Sequence, residues 1–370
     1  MAFAQSEGSF YSPLTLLIQW LLEIAMTFLR TLLHPAALAA AALLFLAGDA
    51  GAQQAGFRTL TVAADVPMTV ALFYPTAAPA RALPMGPWQP VVAPGAPVAE
   101  TPLKGLILVS HGTGGTEFNH HNLATRLARD GYLVAAVRHP GDNWQDRSLV
   151  TSGRYFSERP RQLSRVLDAL LASPEWGARI PAAHIGAVGH SAGGYSVLAL
   201  AGAQAEPGRA AQHCRTVQDD PGFCSLAKGP ADTPASGAQA APAASSTAPL
   251  AQQVSVADPR IRAVVALAPM AVVFTPESLA AIQVPVRVIM AEQDAVLNSK
   301  YHGGYVVANL PRTQVSVAAG AGHFAFMAQS SMPLPSAAGD AAANPAGFDR
   351  VAYLPTLENQ VASFFADQWR

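Results

Sequence analysis

Short, mostly apolar runs recur along the chain, and amphipathic stretches lie between them. In chain order the runs read GLILVSHG, YLVAAVRHP, HIGAVGHS, IRAVVALAP, VPVRVIMAEQD and QVSVAAGAGH. Apolar runs of this length are typical of strands that are buried on both faces of a parallel sheet. Two earlier segments, FRTLTVAAD and MTVALFYP, predict a hairpin. The Pro- and Ala-rich residues 76–100 between them and the first buried run predict a long loop.

The stretches between these strands have the period of helices. In residues 161–173 the apolar positions share one helical face and are Leu163, Val166, Leu167, Leu170 and Leu171. Further helices are predicted around residues 119–131, 192–203, 301–310 and 355–368. Strands that alternate with helices predict an α/β fold, with a mostly parallel central sheet flanked by helices.

The first 52 residues differ from the rest. Arg30 precedes an apolar stretch at residues 36–47, and Ala50-Gly51-Ala52 follows it. This is the layout of a secretory signal with an A-x-A cleavage site. We therefore expect residues 1–52 to be an export segment that is cut near Ala52, which makes the protein periplasmic or secreted. An uncleaved membrane anchor is the alternative.

Residues 205–255 form an insert that interrupts the alternation of strands and helices. It contains Cys214 and Cys224, the chain's two cysteines, and then a low-complexity tract without apolar periodicity. In an exported protein the two cysteines predict a local disulfide, and two free thiols are the alternative. We expect a flexible cap over the site, or otherwise an inert surface excursion. Residues 53–370 are then one domain.

The overall composition excludes several classes of protein. The chain has 370 residues, a formal net charge of -1 and 51% hydrophobic residues, so it can bury a large core. A near-neutral chain without basic runs gives no reason to expect nucleic acid as a partner. No Walker-type loop or dinucleotide fingerprint occurs, so no organic cofactor is implied. The histidines lack the spacing of a zinc site, so no metal is implied either.

One serine occurs where a predicted strand runs directly into a predicted helix. The sequence there is Gly189-His190-Ser191-Ala192-Gly193. A serine between two glycines at such a junction is the pattern of a nucleophile elbow, in which the turn exposes the hydroxyl. A small-residue turn without chemistry is the alternative.

A nucleophilic serine requires a histidine base and an acid that orients this base. Asp294 follows one later strand and His323 follows the next. Because open α/β sheets place their sites at the carboxyl ends of the strands, we expect these side chains to meet Ser191. Glu292 is the alternative acid.

The same chemistry requires N–H donors for an oxyanion. The Ala192 N–H, just after the nucleophile, is one expected donor. The second is expected from the loop HGTGGTE after the strand GLILVS, where we select the Thr113 N–H. The segment RHPGDNW is expected at the rim of the site, and whether it contacts substrate stays open.

The motifs together resemble those of the α/β-hydrolase superfamily. More narrowly, LFYPT, LILVSHGTGG, VGHSAGGYS, VIMAEQDAVL and AGAGHF resemble bacterial predicted dienelactone hydrolases, which are related to the platelet-activating-factor acetylhydrolases. The resemblance implies Ser191 as nucleophile, Asp294 as acid, His323 as base, and Thr113 and Ala192 as oxyanion donors. Two departures are visible. Dienelactone hydrolases carry a cysteine at the position of Ser191, and the acetylhydrolases place the acid one strand earlier.

The expected activity is that of an exported serine carboxylic ester hydrolase acting through an acyl-enzyme on a small-molecule or lipid ester. A lipid acyl-ester hydrolase is the alternative within enzymes, and a binding module on a hydrolase fold is the alternative outside them.

Overall fold

The structure, a computed structural model, describes residues 17–18, 20–24, 26, 53–227 and 253–370. The chain divides into two compact units, Met1–Ala52 and Gln53–Arg370. The predicted cleavage site near Ala52 and the low-complexity tract of the insert lie outside the described residues. Among the residues that are described, no helix has both the length and the apolar character needed to cross a bilayer.

The second unit is built on a large mixed sheet. Its strands, in chain order, are β1 (Gln54–Val62), β2 (Met68–Thr76), β3 (Arg81–Ala82), β4 (Val91–Pro94), β5 (Gly105–Ser110), β6 (Tyr132–Val137), β7 (Ile185–His190), β8 (Ala263–Leu267), β9 (Val286–Ala291) and β10 (Gln314–Ala318). Their order in the sheet is β10-β9-β8-β7-β5-β6-β2-β1-β4-β3. Strands β5 to β10 are mutually parallel, whereas β2 is antiparallel to both β6 and β1. A small hairpin of β11 (Pro335–Ser336) and β12 (Gly339–Asp340) lies apart from this sheet.

Helices cover both faces of the sheet. They are α1 (His121–Arg129), α2 (Tyr155–Ala172), α3 (Ala192–Leu200), α4 (Pro207–Thr216), α5 (Pro221–Ala227), α6 (Pro276–Ala280), α7 (Gly303–Asn309) and α8 (Arg350–Gln368). Helices α2, α3 and α7 contribute to the core on one face, and α1 and α8 to the core on the other. In β5, Leu106 and Leu108 face the first core, and Ile107 and Val109 face the second. A strand buried on both faces therefore explains the continuous apolar run.

The predicted loop at residues 76–100 is wrong at two places, because β3 and β4 lie within it. Strand β4 pairs in parallel with β1, with Gly56 opposite Ala93, and β3 pairs with β4. These strands form the edge of the sheet, where short segments and prolines are tolerated because one side of the ladder needs no partner. Their brevity leaves no alternating pattern in the sequence.

Two helices begin earlier than the sequence predicts. Helix α2 begins at Tyr155 and contains Pro160, and α8 begins at Arg350 and contains Pro355. A proline is common in the first turn of a helix, so a helix start predicted from sequence is placed at or after the proline. For α8 the true start is marked by Asp349, whose carboxylate accepts a hydrogen bond from the Ala352 N–H at 3.0 Å.

Candidate active site

Ser191 lies between β7 and α3 with a strained backbone. Its φ is 57° and its ψ is -116°, and α3 begins at the next residue. A positive φ is uncommon outside glycine and concentrates at functional sites. The turn is held by backbone bonds, because the Ser191 N–H donates to the Leu267 carbonyl at 2.9 Å and the Ser191 carbonyl accepts from Met270 N–H at 3.0 Å.

The two glycines of the motif are required by close backbone contacts. A Cβ atom on Gly193 would lie 2.0 Å from the Ser110 carbonyl oxygen. A Cβ atom on Gly189 would lie 2.0 Å from the Gly193 carbonyl oxygen. Because no side chain fits at either position, α3 can pack directly against the ends of β5 and β7. This packing forms the turn that presents Ser191.

His323 and Asp294 are brought together from the ends of β10 and β9. The His323 Nδ1 and Asp294 Oδ2 atoms are 2.8 Å apart, and each side chain is 3% exposed. The other oxygen of Asp294 accepts hydrogen bonds from the Val296 and Leu297 N–H groups at 2.9 and 2.8 Å. The carboxylate is thus fixed at both oxygens, and it directs the opposite imidazole nitrogen, Nε2, away from itself.

Glu292, the alternative acid, lies elsewhere. Its side chain is exposed, and its Oε2 accepts a hydrogen bond from the Gly320 N–H at 2.7 Å. Only Asp294 of these two carboxylates contacts His323.

The glycine-rich loop after β5 lies against the serine turn. A Cβ atom on Gly112 would lie 3.2 Å from the Ser191 Cβ. Among the described residues the Thr113 N–H makes no backbone hydrogen bond. The Ala192 N–H belongs to the first residue of α3, so it has no acceptor within its own helix. The expected oxyanion donors are therefore both available.

A second histidine, His190, packs against His323. His190 Nε2 lies 2.9 Å from the His323 carbonyl oxygen, and the two rings are 4.8 Å apart. Burial, together with the neighbouring His323, holds the pKa of His190 well below its ordinary value. His190 therefore stays neutral, and its Nε2–H donates to the His323 carbonyl oxygen.

A buried ion pair behind the glycine-rich loop was not found from sequence. Arg159 and Asp142 are both fully buried and form a salt bridge. Asp142 Oδ1 accepts a hydrogen bond from the Gly114 N–H at 2.7 Å. The available signals were an arginine on the buried face of α2 and the aspartate of RHPGDNW, but only the fold brings them together.

A cavity of about 610 Å³ opens beside the serine turn. Ser191, His323, Gly112 and Thr113 all line it. Its apolar walls come from distant parts of the chain and include Met85, Trp88, Phe118, Leu226, Phe324 and Met327. Arg138, which is paired with Glu117, and Arg147 line its charged side. The cavity is large enough for a drug-sized ligand beside the serine.

The described part of the insert reaches this cavity through Leu226. Cys214 and Cys224 form the expected disulfide. Within the closed loop, Asp220 Oδ2 lies 2.8 Å from His213 Nε2 and 2.9 Å from His302 Nε2, and its Oδ1 accepts from the Asn298 N–H at 3.1 Å. The loop is thereby attached to the segment that follows Asp294.

Comparison with known proteins shows the fold. No family model matches the chain, and no curated protein matches it. Among solved structures, the chain is similar to a ferulic acid esterase from Streptomyces cinnamoneus, with a TM-score of 0.53 and 19% identity over 84% of this chain and 89% of that chain. A dienelactone hydrolase from Anabaena variabilis has a TM-score of 0.46 and 13% identity over 85% of this chain and 98% of that chain. The chain has the α/β-hydrolase fold, and the fold class expected from the sequence is confirmed.

Proposed function

We propose that the protein is a serine hydrolase that cleaves carboxylic esters through an acyl-enzyme. The observation that carries the proposal is that a strained Ser191 and His323 line one cavity, while Asp294 is hydrogen-bonded to the far nitrogen of His323. Their chain order, serine then acid then histidine, is the order of the α/β-hydrolase triad.

In the first half of the proposed reaction, His323 Nε2 removes the proton of the Ser191 hydroxyl. The serine oxygen attacks the ester carbonyl carbon, and the carbonyl oxygen becomes an oxyanion. The Thr113 and Ala192 N–H groups bind this oxyanion, which stabilises the tetrahedral intermediate. His323 then gives its proton to the leaving alcohol, and the acyl group stays on Ser191.

In the second half, water replaces the alcohol. His323 removes one proton of the water, the resulting oxygen nucleophile attacks the acyl carbon, and the same N–H groups bind the second oxyanion. The proton returns to Ser191 as the acid departs. Asp294 exchanges no proton in either half of the reaction; it holds the histidine tautomer and stabilises the imidazolium.

The cavity walls point to the class of ester. Trp88, Phe118 and Phe324 supply aromatic surface, and Met85 and Met327 supply flexible apolar surface. Such walls favour an ester with an apolar or aromatic group rather than a fully polar one. Aromatic acyl groups, such as the one in the name of the ferulic acid esterase, and lipid acyl chains both fit this description.

The proposal includes export. A disulfide between Cys214 and Cys224 suits an oxidising compartment. Residues 1–52 are the proposed export segment, residues 53–370 the catalytic domain, and residues 205–255 its cap.

The test is a panel of 4-nitrophenyl esters from acetyl to long acyl chains, together with a feruloyl ester, on wild type and Ser191→Ala. We expect Ser191→Ala to fold and to lose turnover by several orders of magnitude, because a triad acts as a unit. A fluorophosphonate probe should label wild type and leave the variant unlabelled. A variant that keeps a tenth of wild-type turnover would remove Ser191 as the nucleophile.

A further inference from the structure

The glycine-rich loop that carries Thr113 is held from behind by the fully buried ion pair of Asp142 and Arg159. The first contact is the hydrogen bond from the Gly114 N–H to Asp142 Oδ1 at 2.7 Å. Gly114 has a φ of +69°, a left-handed conformation that turns the chain directly after Thr113. A bond to the Gly114 N–H therefore fixes the peptide plane next to the Thr113 N–H.

The other oxygen of the carboxylate is bound by Arg159. The same guanidinium donates to the His111 carbonyl oxygen and, at 3.3 Å, to the Ser110 hydroxyl. The Arg159 side chain thus connects the end of β5 to Asp142. It fixes the start of the glycine-rich loop and also the carboxylate that accepts from the Gly114 N–H. Arg147 Nε lies 3.8 Å from Asp142 Oδ1 on the outer side.

A contact to the Thr113 side chain completes the support. The Thr113 hydroxyl lies 3.0 Å from the hydroxyl of Tyr155, at the start of α2. With the side chain of Thr113 and the N–H of Gly114 both held, the backbone between them has little freedom. Preorganised donors of this kind cost no reorganisation when the oxyanion forms.

We propose that Asp142 is a positioning residue for the oxyanion site: it holds the Gly114 N–H so that the Thr113 N–H faces the developing oxyanion. Arg159 keeps the Asp142 carboxylate in place. The proposal rests on the proposed ester hydrolysis. A fully buried charged pair is a costly way to hold a loop, because desolvation of both ions opposes their attraction. Packing of the loop does not require a buried ion pair. Accurate placement of the Thr113 N–H beside Ser191 explains why Asp142 and Arg159 are present.

Two double variants isolate the contact. Asp142→Leu with Arg159→Met removes both charges and the acceptor for the Gly114 N–H. Asp142→Asn with Arg159→Met also removes both charges and the Arg159 donors but keeps an acceptor oxygen, so the two variants differ only at position 142. Because each variant removes both charges together, neither leaves an unpaired buried ion, and both are expected to fold. Asp146→Asn is the matched control, because Asp146 lies in the same loop as Asp142. Its carboxylate accepts a hydrogen bond from the exposed Ser148 N–H at 2.9 Å.

The readouts are kcat, KM and the affinity for phenylboronic acid, which forms a tetrahedral adduct with a nucleophilic serine. Removal of one oxyanion donor lowers kcat roughly 10²–10³-fold in a serine hydrolase. For a displaced donor we expect the acceptor-free variant to lose kcat and boronate affinity by about tenfold or more with KM little changed. The acceptor-retaining variant should stay within about threefold of the control.

The proposal is overturned if the acceptor-free variant matches the Asp146→Asn control, or if both double variants lose activity equally. If the acceptor-free variant does not fold, Asp142→Glu is read by the same criteria, because it keeps the charge and displaces the acceptor. Wild type that neither turns over esters nor reacts with a fluorophosphonate would contradict the proposed hydrolase instead, so the two failures are distinguishable.

Discussion

Replacing Asp294 with asparagine tests how the base is oriented. Asp294 Oδ2 lies 2.8 Å from His323 Nδ1, so the carboxylate accepts the Nδ1–H and leaves Nε2 free to take a proton. In Asp294→Asn the oxygen that accepts from the Val296 and Leu297 N–H groups can stay where it is. The amide NH₂ then faces Nδ1 and donates to it, which places the imidazole proton on Nε2.

The magnitude follows from this tautomer. A histidine with a proton on Nε2 cannot deprotonate Ser191, and the corresponding substitution in a serine protease lowers kcat by about 10⁴. We expect a loss of about 10³–10⁴-fold here, which equals about 4–5.5 kcal/mol in transition-state stabilisation. Stability should change little, because an amide is isosteric with the carboxylate and keeps the two backbone hydrogen bonds.

The assay is kcat and kcat/KM on a 4-nitrophenyl ester, together with the rate of fluorophosphonate labelling. Glu292→Gln is the matched control, since the exposed glutamine can still accept from the Gly320 N–H and does not touch His323. We expect Glu292→Gln to lower kcat only mildly. A larger loss for Glu292→Gln than for Asp294→Asn, or an Asp294→Asn variant that keeps a tenth of wild-type kcat, would refute the assignment.

Three further predictions concern packing, the insert and pH. Gly193→Ala should lose most ester turnover and melt at a lower temperature by differential scanning calorimetry, because its Cβ would lie 2.0 Å from the last carbonyl oxygen of β5; wild-type turnover would contradict this. Replacing Cys214 and Cys224 with serine should change KM or acyl preference more than the melting temperature, since a bridge across a sequence separation of 10 contributes roughly 2–3 kcal/mol and the sheet lies outside its loop. A collapse in melting temperature with unchanged preference would exclude that role. Burial lowers the pKa of His120 and His121 from 6.5 to about 4, so between these pH values the unfolded chain binds more protons than the folded chain. The melting temperature should therefore fall as the pH is lowered from 6.5 towards 4. An unchanged melting temperature over that range would contradict this prediction.

In the candidate cap, residues 205–255, the disulfide was predictable from sequence, whereas the contacts that attach its closed loop were not. The sequence predicted the disulfide from two cysteines in a chain that it also predicted to be exported, and the structure confirms the disulfide. Attachment of the closed loop to the segment after Asp294 depends on Asp220 and His302, which lie 82 positions apart in the chain. Gly222 makes the contact close, because a Cβ there would lie 2.5 Å from the Ala295 carbonyl oxygen.

By itself, the sequence predicted an α/β fold with a mostly parallel sheet, its motifs resembled those of the α/β-hydrolases, and it placed the candidate site residues at the strand ends. Apolar runs and helical periods are local properties, and parallel strands bring their carboxyl ends to one edge whatever their loops contain. For this reason Ser191, Asp294 and His323 could be chosen before any coordinates.

Only the tertiary structure shows that Asp294, and not Glu292, contacts His323, because these carboxylates are two positions apart and differ in orientation rather than in pattern. The pairing of Asp142 with Arg159 and the set of residues that line the cavity were likewise visible only in the tertiary structure. A buried ion pair has no periodic signature, since its partners lie on separate elements and its existence depends on how those elements pack.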